Sequence, residues 1–341
     1  MTVPVIESFA RQHPDVRVSV CSRAWARPIF NLLPKNVSFI VARLNDEHRG
    51  LKGMNLLGRR LLALQPTHVA DLHDVLRTKY LRARFFAAGM NVKKIHKDRR
   101  ARKKFLTSET KTMQVSVFDK YADVFRRLGY EDLQVDFTGL FPEGKANLQE
   151  RLPEFDFSAW TEPQWVAMAP FATHEAKVYP LEQMEAVVRH LSSRGDVRVL
   201  LFGDGLHECE QLEQWQSKYP HVESMVGRLG NLAGEAAVIS HCRVMLSMDS
   251  ANMHLASLVG VPVVSVWGAT HSYGGFLGYG QRQEDAVQLM DLPCRPCSIY
   301  GNAPCQFGDC RCLRGILPET ILARLEHYLK PVLAKAQKSD T

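Results

Sequence analysis

The sequence predicts an α/β protein of two lobes, each built around a parallel sheet, with a cleft between them. Short apolar runs alternate with helical patterns through the first half, a polar stretch rich in Pro, Glu, Asp and Asn follows at 142–164, and the alternation then restarts. Strands that alternate with helices form parallel sheets covered on both faces. Because ligands of such sheets bind outside the carboxyl ends of the strands, we expect the functional site in the cleft.

The predicted elements follow from hydrophobic periodicity and from helix-stop glycines. In the first half the strands are predicted at 16–20, 37–44 and 67–73, and a helix at 116–130. In the second half the strands are predicted at 165–170, 197–203, 244–248 and 262–268, and the helices at 181–195, 207–218, 232–242 and from residue 252. We therefore expect one lobe at 1–150, a second at 160–317, and a C-terminal helix and tail at 318–341.

The composition indicates a globular chain large enough for two cores, since 45% of its 341 residues are hydrophobic. No apolar run is long enough to predict a membrane span, and the first residues lack the basic and apolar regions of a secretory signal. We therefore expect a cytoplasmic protein. In that compartment its eight cysteines are not expected to form a disulfide framework.

Positive charge is concentrated in one short segment. Residues 93–104, KKIHKDRRARKK, carry eight Lys or Arg against one acid, in a chain whose net charge is +7. Such a run attracts polyanions, among them a phosphorylated substrate and an anionic membrane surface. A solvated loop or helix face is an equally good interpretation. No aromatic residues are interleaved with the charges and no nucleic-acid-binding motif accompanies them, so nucleic acid is not expected as a partner.

A cluster of small and polar residues follows the predicted strand 244–248. Its members are Asp249, Ser250, Ala251, Asn252 and, one helical turn later, His254. Asp249 or Ser250 is expected to cap the following helix, whose other N-terminal N–H groups form an anion site suited to a diphosphate. A capping aspartate and an interior histidine would explain either residue alone. The cluster as a whole, at a switch from strand to helix, favours a binding site.

Residues 249–270, DSANMHLASLVGVPVVSVWGAT, resemble the donor-site motif of glycosyltransferase family 9, the ADP-heptose:lipopolysaccharide heptosyltransferases. Three further segments are similar to that family, namely APFATHEAKVYP at 169–180, LLFGDGLHECE at 200–210 and GGFLGYGQ at 274–281. The resemblance implies a GT-B fold with two Rossmann-like lobes, the first binding the acceptor and the second the nucleotide sugar. It also implies inverting, metal-independent transfer of heptose from ADP-heptose to lipopolysaccharide core or a related surface glycan.

The resemblance assigns roles to individual residues. Lys177 is expected to contact the donor phosphates with help from Thr173, and Glu208, or alternatively Glu210, to accept hydrogen bonds from the ribose. The remaining donor-binding residues are expected to be Leu229 and Gly230 near the adenine, and Asp249, Ser250, Ala251, Asn252 and His254 around the diphosphate and sugar. Lys177 and His254 are the candidates for stabilising the leaving group. Taken alone, Lys177 and Glu208 are also typical of exposed surface residues.

The family's usual first strand and its S-x-x-G-D turn are not found in MTVPVIESFARQHPDVRVSV, which resembles the following helix and second strand. The aspartate of that turn is the family's proposed general base, so no catalytic base is assigned in this chain. We interpret Met1 as an internal methionine of a longer chain. The alternative is a relative that binds a nucleotide sugar without transferring it.

Five cysteines lie within residues 294–312, CRPCSIYGNAPCQFGDCRC. Four of them, Cys294, Cys297, Cys305 and Cys312, are candidates for a structural zinc site. A set of reduced, partly buried thiols that pins a loop is the equal alternative.

Two other enzyme classes share an α/β organisation. A dinucleotide-dependent dehydrogenase is disfavoured because no G-x-G-x-x-G follows a predicted strand. A sugar-nucleotide epimerase of the same two-lobed fold stays open.

Overall fold

A computed structural model of the chain describes residues 1–158, 160 and 162–329. These residues form two compact units. The first consists of 1–142 with 231–235 and 273–279, and the second of 143–230, 236–272 and the described residues from 280 onward. Part of the predicted C-terminal helix and tail, residues 330–341, lies outside the described residues. No helix in the described part of the chain is long and apolar enough to cross a membrane.

The first unit contains short parallel strands and the helices that connect them. Its strands are β1 (Val18–Ser22), β2 (Val37–Val41), β3 (His68–Asp71) and β4 (Asn91–Lys94). Its helices are α1 (Val3–Gln12), α2 (Arg27–Phe30), α3 (Gly50–Leu62), α4 (Leu76–Ala87), α5 (Arg99–Thr107) and α6 (Val117–Arg127). Within the described residues β1 pairs with β2 and β3 with β4, both in parallel, and the two pairs form separate sheets.

Two apolar clusters hold the first unit together. In one, α3 contributes Met54, Leu57 and Leu61, which pack with Ala42 and Phe85. In the other, Val124 of α6 and Leu128, which follows the helix, pack with Ile95 in the loop after β4. Helix α6 is well specified by its sequence, because Ser116 caps it by accepting a hydrogen bond from the backbone N–H of Asp119.

The second unit contains a six-stranded sheet in the described part of the chain. Its strands are β5 (Gln164–Ala169), β6 (Val197–Leu201), β7 (Val222–Ser224), β8 (Val244–Met248), β9 (Val263–Val266) and β10 (Ala286–Val287). Its helices are α7 (Leu148–Arg151), α8 (Leu181–Ser192), α9 (Leu206–Lys218), α11 (Ala251–Leu258), α12 (Arg311–Arg314) and α13 (Pro318–Glu326), and α10 (Leu232–Ile239) is divided between the two units at residue 235. All its strand pairs are parallel.

The order of the strands in the second unit creates a switch point. The order is β10-β9-β8-β5-β6-β7, so the chain runs outward from β5 to β7 and then returns to the other side of β5 with β8. The loops that follow β5 and β8 therefore leave their neighbouring strands in opposite directions. A crevice opens at the carboxyl ends of two such strands, and ligands of open α/β sheets bind there.

Candidate functional site

The turn between β8 and α11 leaves the helix N-terminus without a side-chain cap. Ser250 occupies the N-cap position in an extended conformation, but its side chain makes no capping hydrogen bond. Its Oγ instead lies 3.1 Å from Oγ of Ser247. The sequence-based expectation that Asp249 or Ser250 caps α11 was therefore wrong. The first N–H groups of α11 stay available to an anion, since neither side chain occupies them.

The Asp249 carboxylate is bonded to Thr270 and paired with Lys177. Its Oδ2 accepts a hydrogen bond from Oγ1 of Thr270 at 2.8 Å and lies 2.9 Å from Nζ of Lys177. The side chains of Lys177 and Asp249 are 14% and 9% exposed, so the ion pair is largely removed from water. Lys177 lies in the short helical turn after β5, and Asp249 directly follows β8. The pair thus spans the switch point of the sheet.

Thr270 was not among the residues predicted for the site. It ends the segment VVSVWGAT, which the sequence analysis used only as part of a motif. The structure shows its hydroxyl buried against the Asp249 carboxylate. A threonine that follows a strand by a few residues carries no sequence signal of its own, so only the contact identifies it.

Glu208 faces the end of β6 rather than open solvent. Its Oε2 accepts a hydrogen bond from the backbone N–H of Asp204 at 2.8 Å, and the same atom approaches Gly203 closely. Burial raises the pKa of the Glu208 carboxyl, and the hydrogen bond from the backbone N–H of Asp204 opposes that shift in part. This geometry favours Glu208 over the exposed Glu210 as the acidic residue of the site.

The remaining predicted donor residues lie on loops at the same edge of the sheet. Thr173 is exposed in the loop after β5, and Leu229 and Gly230 follow β7, Leu229 being buried and Gly230 exposed. Gly230 has a φ of +69°, a conformation that favours glycine. Ala251 is exposed and Asn252 half-buried in the first turn of α11. Because all strands of this sheet are parallel, the loops that carry these residues leave from one edge.

His254 is neutral at physiological pH. Burial lowers its pKa to about 3, and the nearby Lys177 ammonium acts in the same direction. Its ring Nδ1 is buried and has no hydrogen-bond partner among the described residues. A neutral imidazole carries one N–H donor and one acceptor nitrogen. His254 can therefore donate a hydrogen bond to a phosphate or sugar oxygen, but it does not bring a positive charge to the site.

The described residues give no support to the predicted zinc site. All eight cysteines are free thiols, and no group of three or more His, Cys, Asp or Glu side chains in the described residues could hold a metal ion. Cys312 belongs to the apolar core of the second unit, where burial raises its pKa to about 11. A buried, protonated thiol is a poor metal ligand, because metals bind the thiolate.

The basic run of the first unit lines a cavity of about 780 Å³. Its lining residues are Asp74, Lys79, Lys94, Ile95, His96, Lys97, Asp98, Arg99, Val115, Asp119, Lys120 and Asp123. Two of the four acids bond arginines of this unit, Arg82 to Asp74 and Arg127 to Asp123. The other two, Asp98 and Asp119, accept hydrogen bonds from the backbone N–H of Ala101 and from Oγ of Ser116. Among the described residues, no carboxylate forms an ion pair with Lys79, Arg99 or Lys120. The cavity therefore presents cations to an incoming ligand.

Solved structures of known proteins share this fold. The chain superimposes on Escherichia coli ADP-heptose lps heptosyltransferase II with a TM-score of 0.65 and 16% identity, over 96% of this chain and 93% of that one. For E. coli heptosyltransferase WaaC with ADP the TM-score is 0.66 at 15% sequence identity, and the match covers 96% of this chain and 95% of that one. For the glycosyl transferase family 9 protein of Veillonella parvula DSM 2008 the TM-score is 0.69 at 19% sequence identity, and the match covers 96% of this chain and 92% of that one. The fold is therefore of the GT-B type, as the sequence predicted.

Sequence comparison leads to the same group of proteins. E. coli lipopolysaccharide heptosyltransferase 3 is 24% identical over 280 residues, which is 79% of this chain and 80% of that protein. Lipooligosaccharide heptosyltransferase 2 of Campylobacter jejuni is 24% identical over 163 residues, or 46% and 47% of the two chains. The model of glycosyltransferase family 9 (heptosyltransferase) matches residues 56–303. Because that match covers well over half of this chain, the chain belongs to glycosyltransferase family 9 and is a heptosyltransferase-like enzyme.

Proposed function

We propose that this protein transfers heptose from ADP-heptose to the core of lipopolysaccharide or a related surface glycan, with inversion at the transferred sugar. The second unit binds the donor and the first unit binds the acceptor. The observation that carries the proposal is the Lys177–Asp249 pair beside the uncapped N-terminus of α11, at the switch point of the sheet. The names of the relatives, which include lipopolysaccharide heptosyltransferases and a WaaC structure with ADP, support the donor and acceptor classes.

The donor diphosphate is met by two kinds of positive charge. The Lys177 ammonium is a compact charge with three donors, and the first turn of α11 adds backbone N–H groups and the helix dipole. When the bond to the sugar breaks, negative charge grows on the diphosphate, and both features stabilise it. His254 donates a hydrogen bond as a neutral imidazole, while Glu208 holds the ribose and the loop at Leu229 and Gly230 receives the adenine.

The acceptor is proposed to be phosphorylated. The cavity of the first unit offers Lys79, Arg99 and Lys120 as cations without an ion-pair partner in the described residues. Phosphate groups on a glycan supply the complementary charge. The same basic surface is proposed to contact the anionic inner face of the inner membrane, where the acceptor lipid lies, which places the protein in the cytoplasm.

The donor proposal is tested by measuring how far each of several nucleotide sugars raises the stability of the purified protein. ADP-heptose is expected to stabilise it by about 2.7 kcal/mol at a hundredfold excess over Kd, and UDP-glucose by much less. A UDP-sugar that stabilises it more than ADP-heptose would exclude the proposed donor.

The transfer proposal is tested by mass spectrometry of lipopolysaccharide incubated with protein and ADP-heptose. A gain of one heptose on phosphorylated core, and a smaller yield on dephosphorylated core, is expected. Arg99→Glu with Lys120→Glu is expected to raise the KM for acceptor while leaving ADP affinity unchanged. Lys103→Glu is the matched control, because it removes a charge of the same basic run that does not line the cavity. Donor binding without transfer to any acceptor would reduce the function to nucleotide-sugar binding.

A further inference from the structure

A buried arginine lies behind the donor site. Arg295 is 2% exposed. Its guanidinium donates hydrogen bonds to the backbone carbonyls of Gly268 at 2.6 Å, Thr270 at 2.7 Å and Trp267 at 3.0 Å, to the carbonyl of Leu289, and to Oε1 of Gln288 at 3.1 Å. None of these acceptors is a carboxylate. Burial of an arginine without a counter-charge is costly, and these hydrogen bonds offset that cost.

That loop, residues 267–270, is tied to both charged groups of the donor site. Thr270 donates its hydroxyl hydrogen bond to Asp249 at 2.8 Å. One residue earlier, the backbone N–H of Ala269 donates to the carbonyl of Ala176 at 3.1 Å, in the turn that carries Lys177. Arg295 therefore fixes the segment that positions the Asp249 carboxylate and the Lys177 turn together.

The residues after Arg295 contact the same groups. The backbone N–H of Cys297 donates to the carbonyl of Ala269 at 2.8 Å. Gly301 lies against the Lys177 side chain so closely that a Cβ there would be 2.6 Å from Cγ and Cδ of the lysine. Residues 294–301, which we call the strap, thus contact the 267–270 loop through Arg295 and Cys297 and the stem of Lys177 through Gly301.

We propose that the strap sets the position of the diphosphate-binding groups and that Arg295 is a positioning residue for them. Arg295 holds the loop at Thr270, Thr270 orients the Asp249 carboxylate, and Asp249 aims the Lys177 ammonium at the diphosphate. Gly301 confines the lysine stem from the other side. The inference deepens the proposed function and rests on it, since it requires that the second unit binds a nucleoside diphosphate.

Only an arginine can make this set of contacts. Its planar guanidinium presents five N–H donors in a fixed fork, which reaches carbonyls that lie in different directions. A lysine at 295 has three donors on one atom and reaches fewer of them. Arg295→Lys should therefore retain part of the function, and Arg295→Met should retain none of it.

The test compares ADP with adenosine by titration calorimetry of Arg295→Met and Arg295→Lys. Because Arg295 acts through groups that meet the diphosphate, Arg295→Met is expected to weaken ADP about tenfold, the worth of one hydrogen bond to a charged group. Adenosine affinity is expected to stay within about twofold, because adenosine has no diphosphate, whereas a partly unfolded sample would lower both affinities by the same factor. Arg295→Lys is expected to fall between wild type and Arg295→Met.

Arg198→Met is the matched control. Arg198 is also largely buried, but it pairs with Glu162 at the amino-terminal end of β6, away from the carboxyl edge that carries the site. Its loss is expected to lower stability without changing the ratio of the ADP and adenosine affinities. Unchanged ADP affinity in folded Arg295→Met, or an equal loss for ADP and adenosine, would overturn the inference.

Gly301→Ala keeps the proposal testable if Arg295→Met does not fold. The added methyl group displaces the Lys177 stem, so ADP affinity is expected to fall while adenosine affinity holds. An unchanged ADP affinity in this variant also overturns the role of the strap. Failure of the wild-type protein to bind ADP at all would instead overturn the proposed function, and the inference with it.

Discussion

Lys177→Met removes the ammonium that is proposed to hold the donor diphosphate. The ammonium lies 2.9 Å from Asp249 Oδ2, in a pair whose side chains are 14% and 9% exposed. A hydrogen bond to a charged group contributes roughly 1.5–3 kcal/mol, which corresponds to a loss of roughly 10- to 150-fold in ADP affinity. The Asp249 carboxylate is left facing the diphosphate without its counter-ion. That repulsion acts in the same direction and moves the expected loss toward the upper end.

The assay is titration calorimetry with ADP at fixed ionic strength, because the attraction between charges depends on salt. Asp249→Asn in the Lys177→Met background is expected to recover part of the loss, since the amide does not repel the diphosphate, and the four proteins form a double-mutant cycle. Lys218→Met, which breaks an exposed pair with Glu185 at the end of α9, is the control and should bind ADP like wild type. An ADP affinity of Lys177→Met within about threefold of wild type would refute the reasoning.

Three further outcomes follow from the structure. The pKa of His254 in the folded protein is lowered to about 3 from its ordinary value of 6.5. The unfolded chain therefore binds the proton first, and the free energy of unfolding falls as the pH drops below 6.5, by up to about 1.4 kcal/mol per pH unit. Urea unfolding of His254→Asn should show a flatter pH dependence than wild type. Backbone N–H groups lower the pKa of Cys305 whereas burial raises that of Cys312, so mass spectrometry after brief alkylation should find Cys305 modified before Cys312. A Cβ at Gly268 would lie 2.5 Å from Cγ of Leu313, so Gly268→Ala should lower the free energy of unfolding by about 1–3 kcal/mol while Gly274→Ala changes it little.

The regular part of the fold was predictable because its signal is local. Strands β8 and β9 are short apolar runs, and the structure places all their residues in the core, as such runs indicate. The strand β4 was not predicted, because its residues NVKK merge into the basic run and lack the apolar alternation of a strand. Its pairing with β3 is a tertiary contact, and tertiary contacts override local pattern.

The donor site was predictable where residues sit in one motif and not where distant loops meet. Asp249 and Lys177 were both named from short segments, but their ion pair depends on β5 and β8 being neighbours in the sheet. The capping role expected for Asp249 was wrong because Thr270 and Lys177, remote in sequence, compete for the same carboxylate. Arg295 was overlooked between two cysteines, since burial of an arginine cannot be read from its neighbours in the chain.

The zinc prediction and the strap concern the same cysteine-rich segment, and the structure separates two reasons for its sequence. A metal would require thiolates that converge, whereas Cys312 lies in the apolar core. Backbone contacts from Cys297 to Ala269, and the absence of a side chain at Gly301, instead bring the segment against the donor site. Cysteine behaves in such a place as a small apolar residue that fits a tight loop. Cys297→Ala should therefore leave the ADP affinity unchanged, whereas Arg295→Met lowers it about tenfold. The chemistry of the strap lies in its arginine rather than in its thiols.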